Sequence, residues 1–235
     1  MKVHIVHAHS EADSFVSAMR DLIAERFAAR GAQVSHSDLY AMGFNPVLSP
    51  ADFTDRKDDA HLTYALEQRH GYQTGTLAPD VLAEIAKVMD ADVIAFTFPM
   101  FWFSVPAILK GWIDRVFISG PIYGGRRIYG QGGLAGKRAL VAFSLGGRDG
   151  MFGPGSLHGE LETGMLRHFL QGTLGYAGLD VAQPFAAHHV PYLDAAARAG
   201  LLGDLATYVD GFDDVPIMPK PDLSGFDADF SPRSA

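Results

Sequence analysis

The sequence predicts a three-layer α/β sandwich, a five-stranded parallel sheet between two layers of helices, with a C-terminal extension. Three observations carry that expectation. Residues 93–99 (VIAFTFP) are apolar or β-branched with no alternation, the pattern of a strand covered on both faces. Strand-like segments alternate along the chain with stretches of helical period, the order expected of parallel strands joined by crossover helices. The chain also has 235 residues and is 48% hydrophobic, enough for one large core at the upper end of single-domain size.

The first strand is expected at residues 2–7 and leads through His9 to Ser14 into an amphipathic helix over 15–30, which Gly31 stops. A second strand follows at 33–38. Residues 39–79 then turn polar and irregular, with Asn45-Pro46 and Ser49-Pro50, a long excursion of a kind uncommon unless functional. A helix at 79–89 leads to the third strand at 93–99. The helix after it is expected to be capped by Ser104, with Pro106 in its first turn and Ile108, Trp112, Ile113 and Val116 on one face. Residues 118–136 are glycine-rich loop and 137–144 the fourth strand. A helix over about 159–174, a fifth strand over 181–190 and a last helix over 193–208 complete a domain of residues 1–210. The extension, 211–235, carries Phe212, Ile217, Phe226 and Phe230 and is expected to pack on a dimer.

The overall charge excludes some partners. Net charge is -8 and the pI about 5.6, with lysine and arginine scattered, so no electrostatic footprint for nucleic acid is expected. There is no cysteine, which removes disulfides, thiolate metal sites and cysteine nucleophiles. No apolar run approaches membrane-spanning length and no cleavable apolar segment precedes the first strand, so a cytoplasmic protein without membrane insertion is expected. The ten histidines lack ligand spacing, and no metal site is expected.

The segments that could carry chemistry follow the strands. Right-handed crossovers leave few strand orders, chiefly the dinucleotide-binding and the flavodoxin-like. The glycine fingerprint of the first is missing between His9 and Ser14, which favours the second. Ser10, Asp13 and Ser14 at the start of a helix suit a phosphate, or are ordinary caps. Pro99, Met100, Phe101, Trp102 and Phe103 follow the third strand and could hold a planar ring, or serve packing. Gly146 and Gly147 after the fourth strand allow close approach of backbone, or form a plain turn. His158 is a candidate for proton handling, or a cap.

Longer motifs go further. His9-Ser10-Glu11, Ser14-Phe15, the run from Ser37 through Tyr40-Ala41-Met42 to Asn45-Pro46, Trp102-Phe103 with Val105-Pro106-Ala107-Ile108-Leu109-Lys110-Gly111-Trp112, Gly146-Gly147 and Leu157-His158-Gly159 together resemble the NAD(P)H:quinone oxidoreductases of the DT-diaphorase type. Those are homodimeric flavoproteins of flavodoxin-like fold, and the resemblance covers essentially the whole chain.

The resemblance implies a bound flavin, FAD with FMN as the alternative, reduced by NAD(P)H and reoxidised by a quinone or another planar acceptor in ping-pong order. It implies that His9, Ser14 and Phe15 hold the phosphate end, that the backbone of Pro99, Met100, Phe101, Trp102 and Phe103 meets the ring, and that Ser144, Leu145, Gly146 and Gly147 meet its pyrimidine edge. The substrate pocket would comprise Trp102, Phe103, Phe152, His158 and Tyr176, with Tyr123 reaching in from the partner subunit and His158 catalytic. The chain departs from the family at Phe152, where mammalian members carry a tyrosine, at Gly125, where a second tyrosine stands, and at Asp13 and Val16 in the phosphate turn. Two other functions share the resemblance: an azo, nitro or flavin reductase, and an ancillary flavoprotein of a potassium-efflux system.

Overall fold

A computed structural model describes residues 1–233; Ser234 and Ala235, the end of the expected extension, lie outside them. Strands β1 (Lys2–His7), β2 (Gln33–Asp38), β3 (Val93–Pro99) and β4 (Arg138–Ser144) form a parallel sheet in the order β2-β1-β3-β4, and both β5 (Asp180–Val181) and β6 (Phe185–Ala187) pair with β4. That is the flavodoxin-like order. The expected fifth strand over 181–190 is therefore two short strands, and among the described residues the sheet has six. Pro184 sits at the break and has no N–H to give a ladder. The extension compensates: Gln183 N donates to Pro216 O (2.8 Å), Met218 N donates to Val181 O (2.7 Å), and Ala182 bridges Ile217 antiparallel.

Helices α1 (Phe15–Ala29) and α6 (Ala195–Asp210) cover one face, where Met19, Ile23 and Phe27 meet Leu205, Val209 and Phe212. On the other face lie α3 (Pro79–Asp90), α4 (Ala107–Val116) and α5 (Arg167–Phe169), the last flanked by π-helical turns at Leu161–Met165 and Leu170–Gly175. Phe96 of β3 packs edge-on against Trp112 of α4 (6.2 Å between ring centroids) and Phe169 of α5 (5.8 Å). Each such buried ring contributes about 1.5–3 kcal/mol by leaving water.

The polar excursion is more ordered than its composition implies. It contains helix α2 (Tyr64–Thr74), and two buried charges tie it down. Glu67 accepts from the amides of Lys57 (2.8 Å) and Asp58 (3.1 Å). Arg115 of α4 donates to Asp52 (2.6 Å), Asp80 (2.7 Å) and the carbonyl of Asn45 (2.9 Å), with its guanidinium 4.9 Å from the Phe44 ring. Burial opposes that charge, but the two carboxylates outweigh it and hold the group above its ordinary value. Gly111 completes the contact, because a Cβ there would stand 2.1 Å from Pro46 O. The cap expected at Ser104 is not made: α4 begins after Pro106, and the Ser104 hydroxyl meets His168 Nε2 instead (3.0 Å).

Two buried histidines should make the fold acid-sensitive. His4 lies between the hydroxyls of Ser35 (2.9 Å) and Ser37 (3.2 Å), and His7 between those of Thr97 (2.8 Å) and Ser17 (3.3 Å). Burial lowers both from 6.5 to about 4. Between those values the unfolded chain binds the protons and the folded one does not, so the stability is fully present above pH 6.5 and is lost as pH falls to about 4. The loss should reach about 2–3 kcal/mol per histidine. Urea unfolding at a series of pH values checks this; a pH slope unchanged when His4 and His7 are both replaced by leucine would contradict it.

Among the described residues no helix is long and apolar enough to cross a membrane, and no three or more His, Asp or Glu side chains are grouped to hold a metal.

Candidate active site

The site residues lie at the carboxyl ends of β1, β3 and β4, which the strand order makes adjacent. After β3 the chain makes a two-residue turn: Phe101 N donates to Ser104 O (3.0 Å) and Ser104 N to Phe101 O (2.9 Å). Trp102 and Phe103 occupy its centre at φ 50° and 54°. Two left-handed aromatics in succession, where such a turn favours Asn-Gly, are strained by roughly 1–3 kcal/mol each. The turn leaves Trp102 almost fully in solvent, at 96% exposure, and leaves the Trp102 and Phe103 amides outside its own bonding pair.

After β4 a second loop is held from one side. Leu145 N donates to Ala187 O (3.0 Å), Val190 N to Leu145 O (3.1 Å) and His189 N to Gly147 O (2.9 Å), while His189 Nδ1 lies 3.1 Å from Gly146 O. These bonds use the carbonyls of residues 145–147 and leave the amides of Gly146 and Gly147 outside the ladder. A Cβ at Gly147 would stand 2.9 Å from the Phe152 ring, so a larger residue there would have to push that ring aside.

A hollow of about 400 Å³ opens between the two loops, lined by Met100, Trp102, Phe103, Leu145 to Gly147, Met151, Phe152 and His158. The His158 imidazole is flanked by Phe103 (5.2 Å between centroids) and Phe152 (5.3 Å), which offer it no hydrogen bond. Behind Phe152, at 5.7 Å, stands His188, whose Nε2 is 3.6 Å from Asp149 Oδ1. Of the other expected ring contacts, Pro99 ends β3, and the Ser144 carbonyl accepts from Met100 N (2.7 Å). The sequence sets His188 and His189 aside with the other histidines for want of metal-ligand spacing; the structure puts them directly after β6, at the carboxyl edge of the sheet.

The turn after β1 forms the remaining side. His9 Nδ1 accepts from Glu11 N (2.9 Å), which places the neutral ring's proton on Nε2. Ser14 caps α1, its Oγ accepting from Ser17 N (3.0 Å), and Phe15 opens that helix, half-buried. The Glu11 carboxylate accepts from Asp13 N (3.3 Å), so the turn already holds an anionic oxygen on one of its amides. A phosphate fits that donor set. A planar ring fits the hollow, with its aromatic walls and the two glycine amides at its edge.

Tyr123 and Tyr176 lie elsewhere. Their rings are 5.9 Å apart and line a second hollow of about 360 Å³ with Tyr64, Ile113 and Thr173. A third, of about 490 Å³, shares Trp102 with the first and Ile113 and Thr173 with the second. Within one protomer the structure does not bring the two tyrosines to His158.

Fold and site together define a flavodoxin-like α/β protein with an aromatic hollow at the carboxyl edge of its sheet. The profile of the family described as having a flavodoxin-like fold matches residues 1–209. NAD(P)H dehydrogenase [quinone] 1 of Rattus norvegicus is 37% identical over 199 residues, 84% of this chain and 72% of the relative. The protein of the same name from Cavia porcellus is 35% identical over 228 residues, 96% of this chain and 82% of the relative. A Klebsiella pneumoniae crystal structure assigned as a quinone reductase superposes with a TM-score of 0.88 at 31% identity, covering 93% of this chain and 87% of the other. The chain belongs to the NAD(P)H dehydrogenase (quinone) family within the flavodoxin-like fold.

Proposed function

We propose that the chain is a flavin-dependent NAD(P)H:quinone oxidoreductase working in ping-pong order from the hollow at Trp102, Phe103, Gly147, Phe152 and His158. The observation that supports this best is the convergence there of an aromatic wall, unladdered backbone amides and one imidazole, on a chain whose relatives are named quinone dehydrogenases. A flavin bound there would supply two-electron chemistry between NAD(P)H and the acceptor.

The protein's part is to bind, orient and handle protons. The Trp102, Phe103, Gly146 and Gly147 amides would be donors for a bound ring's polar edge, where fixed dipoles would stabilise developing negative charge. Met100 and Phe152 would cover a bound ring from water. His158 holds a proton beside that edge; Phe152 has no hydroxyl to share it, so the imidazole acts alone or through water. His9 Nε2–H, Ser14 and the first-turn amides take the phosphate end, with Phe15 packed at the base of the turn. FAD is the proposed cofactor, with FMN the alternative, since the anchored excursion at residues 39–79 offers an adenylate half something to rest on. A second copy of the chain would bring its Tyr123 and Tyr176 to the hollow and complete the substrate pocket in a cytoplasmic homodimer, with residues 211–233 packed at its periphery.

Turnover of a menaquinone analogue, an azo dye and free FMN under NADH and NADPH tests the reading. Quinone should be reduced fastest; negligible quinone turnover beside rapid dye or flavin reduction would replace it with the azo or flavin reductase. Heat-released cofactor run against FAD and FMN standards settles the flavin.

A further inference from the structure

His7 is a polar residue at a fully buried position of β1, and the mechanism above leaves it without a task. Its ring joins two hydroxyls that lead toward the phosphate turn. Nδ1 is 2.8 Å from Thr97 Oγ1 and Nε2 is 3.3 Å from Ser17 Oγ. Ser17 Oγ is in turn 2.9 Å from Ser14 Oγ and 2.9 Å from the carbonyl of Glu11. Ser14 Oγ also accepts from Ser17 N (3.0 Å).

The proton inventory fixes the direction of this chain. The Glu11 carbonyl can only accept, so in the observed arrangement the Ser17 hydroxyl donates to it. Ser17 Oγ then accepts from the Ser14 hydroxyl and from His7 Nε2–H. A neutral imidazole with its proton on Nε2 accepts at Nδ1, and Thr97 donates there. In this state the Ser14 proton points inward. An anion at the turn redirects two protons: Ser14–H turns to the anion, and Ser17–H leaves the Glu11 carbonyl, which keeps the Ser14 N–H (3.3 Å), and turns to Ser14 Oγ. His7 Nε2–H stays on Ser17 Oγ throughout, so Ser17 keeps a donor when it swings. Every hydroxyl from Thr97 outward then points its proton toward the anion.

We propose that His7 is a positioning residue for the cofactor's phosphate, acting through Ser17 to turn the Ser14 hydroxyl outward as a donor. This rests on the assignment of a flavin phosphate to the turn. The four groups reach the cradle from β1, β3 and α1, so the relay also fixes the turn against the strand that carries the ring-binding loop.

Equilibrium dialysis of the full-length protein against FMN and against riboflavin, which has the ring without the phosphate, tests it. His7→Leu should weaken FMN binding roughly tenfold, about the worth of one charge-assisted hydrogen bond, and leave riboflavin within about twofold. His7→Gln, whose amide can donate to Ser17, should restore most of the loss. Nitrogen-edited NMR of the wild type should find the His7 proton on Nε2. The relay is overturned if His7→Leu binds FMN as the wild type does, if it weakens FMN and riboflavin alike, if His7→Gln is no better than His7→Leu, or if the proton is on Nδ1. Ser14→Ala separates the two levels. If it weakens FMN while His7→Leu does not, the relay alone fails; if it changes nothing and the wild type binds both ligands equally, the phosphate assignment fails and the relay with it.

Discussion

His158→Ala should slow quinone reduction by about tenfold to a thousandfold while the protein keeps its flavin, the range usual for a positioned proton-transfer group. The loss should fall on kcat, because the imidazole touches its neighbours only by ring contact and the walls of the hollow stay in place. Phe103 and Phe152 on its two sides cannot hold or deliver a proton in its place. Stopped-flow measurement of the NAD(P)H and quinone half-reactions locates the effect. Unchanged rates in both would remove His158 from the chemistry and leave it as a spacer between two phenyl rings.

Arg115→Met should destabilise the protein by about 3–5 kcal/mol, the cost of breaking one side of a buried ion pair. Asp52 is almost fully buried, and without the guanidinium its carboxylate would be buried without a counter-charge. The partners matter beyond stability. Asp52, Asn45 and Phe44 belong to the excursion at residues 39–79, and Asp80 to the first turn of α3, so one side chain on α4 fastens three segments. Denaturant unfolding should show the fall in midpoint, and proteolysis should cut first within residues 44–63. A ΔΔG under about 1 kcal/mol, the worth of an exposed pair, would show that water replaces the guanidinium.

Much of this was legible because the signals were local. The apolar run of β3, the aromatics at 101–103 and the glycine pair after β4 report their surroundings directly: a strand covered on both faces can be little else, and its carboxyl end is where a parallel sheet opens. The errors were of another kind. Ser104 looks like a cap, yet its backbone is used in the turn with Phe101 and its hydroxyl turns to His168, a residue 64 positions away. The excursion looks irregular because α2 is weakly amphipathic and is held by the buried carboxylate of Glu67 instead of an apolar stripe. The fifth strand looks continuous because the edge bonds that Pro184 interrupts are resumed by residues of the extension, far along the chain.

The sequence alone therefore determined the fold class, the flavodoxin-like strand order and the edge of the sheet where the candidate site lies, since these follow from period, crossover handedness and the residues next to each strand. The tertiary structure decided the groupings that depend on long-range approach. It set His158 between Phe103 and Phe152, held the Gly146-Gly147 loop by His189, and joined His7, Thr97, Ser17 and Ser14 into one line of hydroxyls. It also kept Tyr123 and Tyr176 away from His158 within a single chain. The physical reason is that period and propensity act over a few neighbouring residues, whereas a hydrogen bond or ring contact depends on distances fixed only when distant segments pack together.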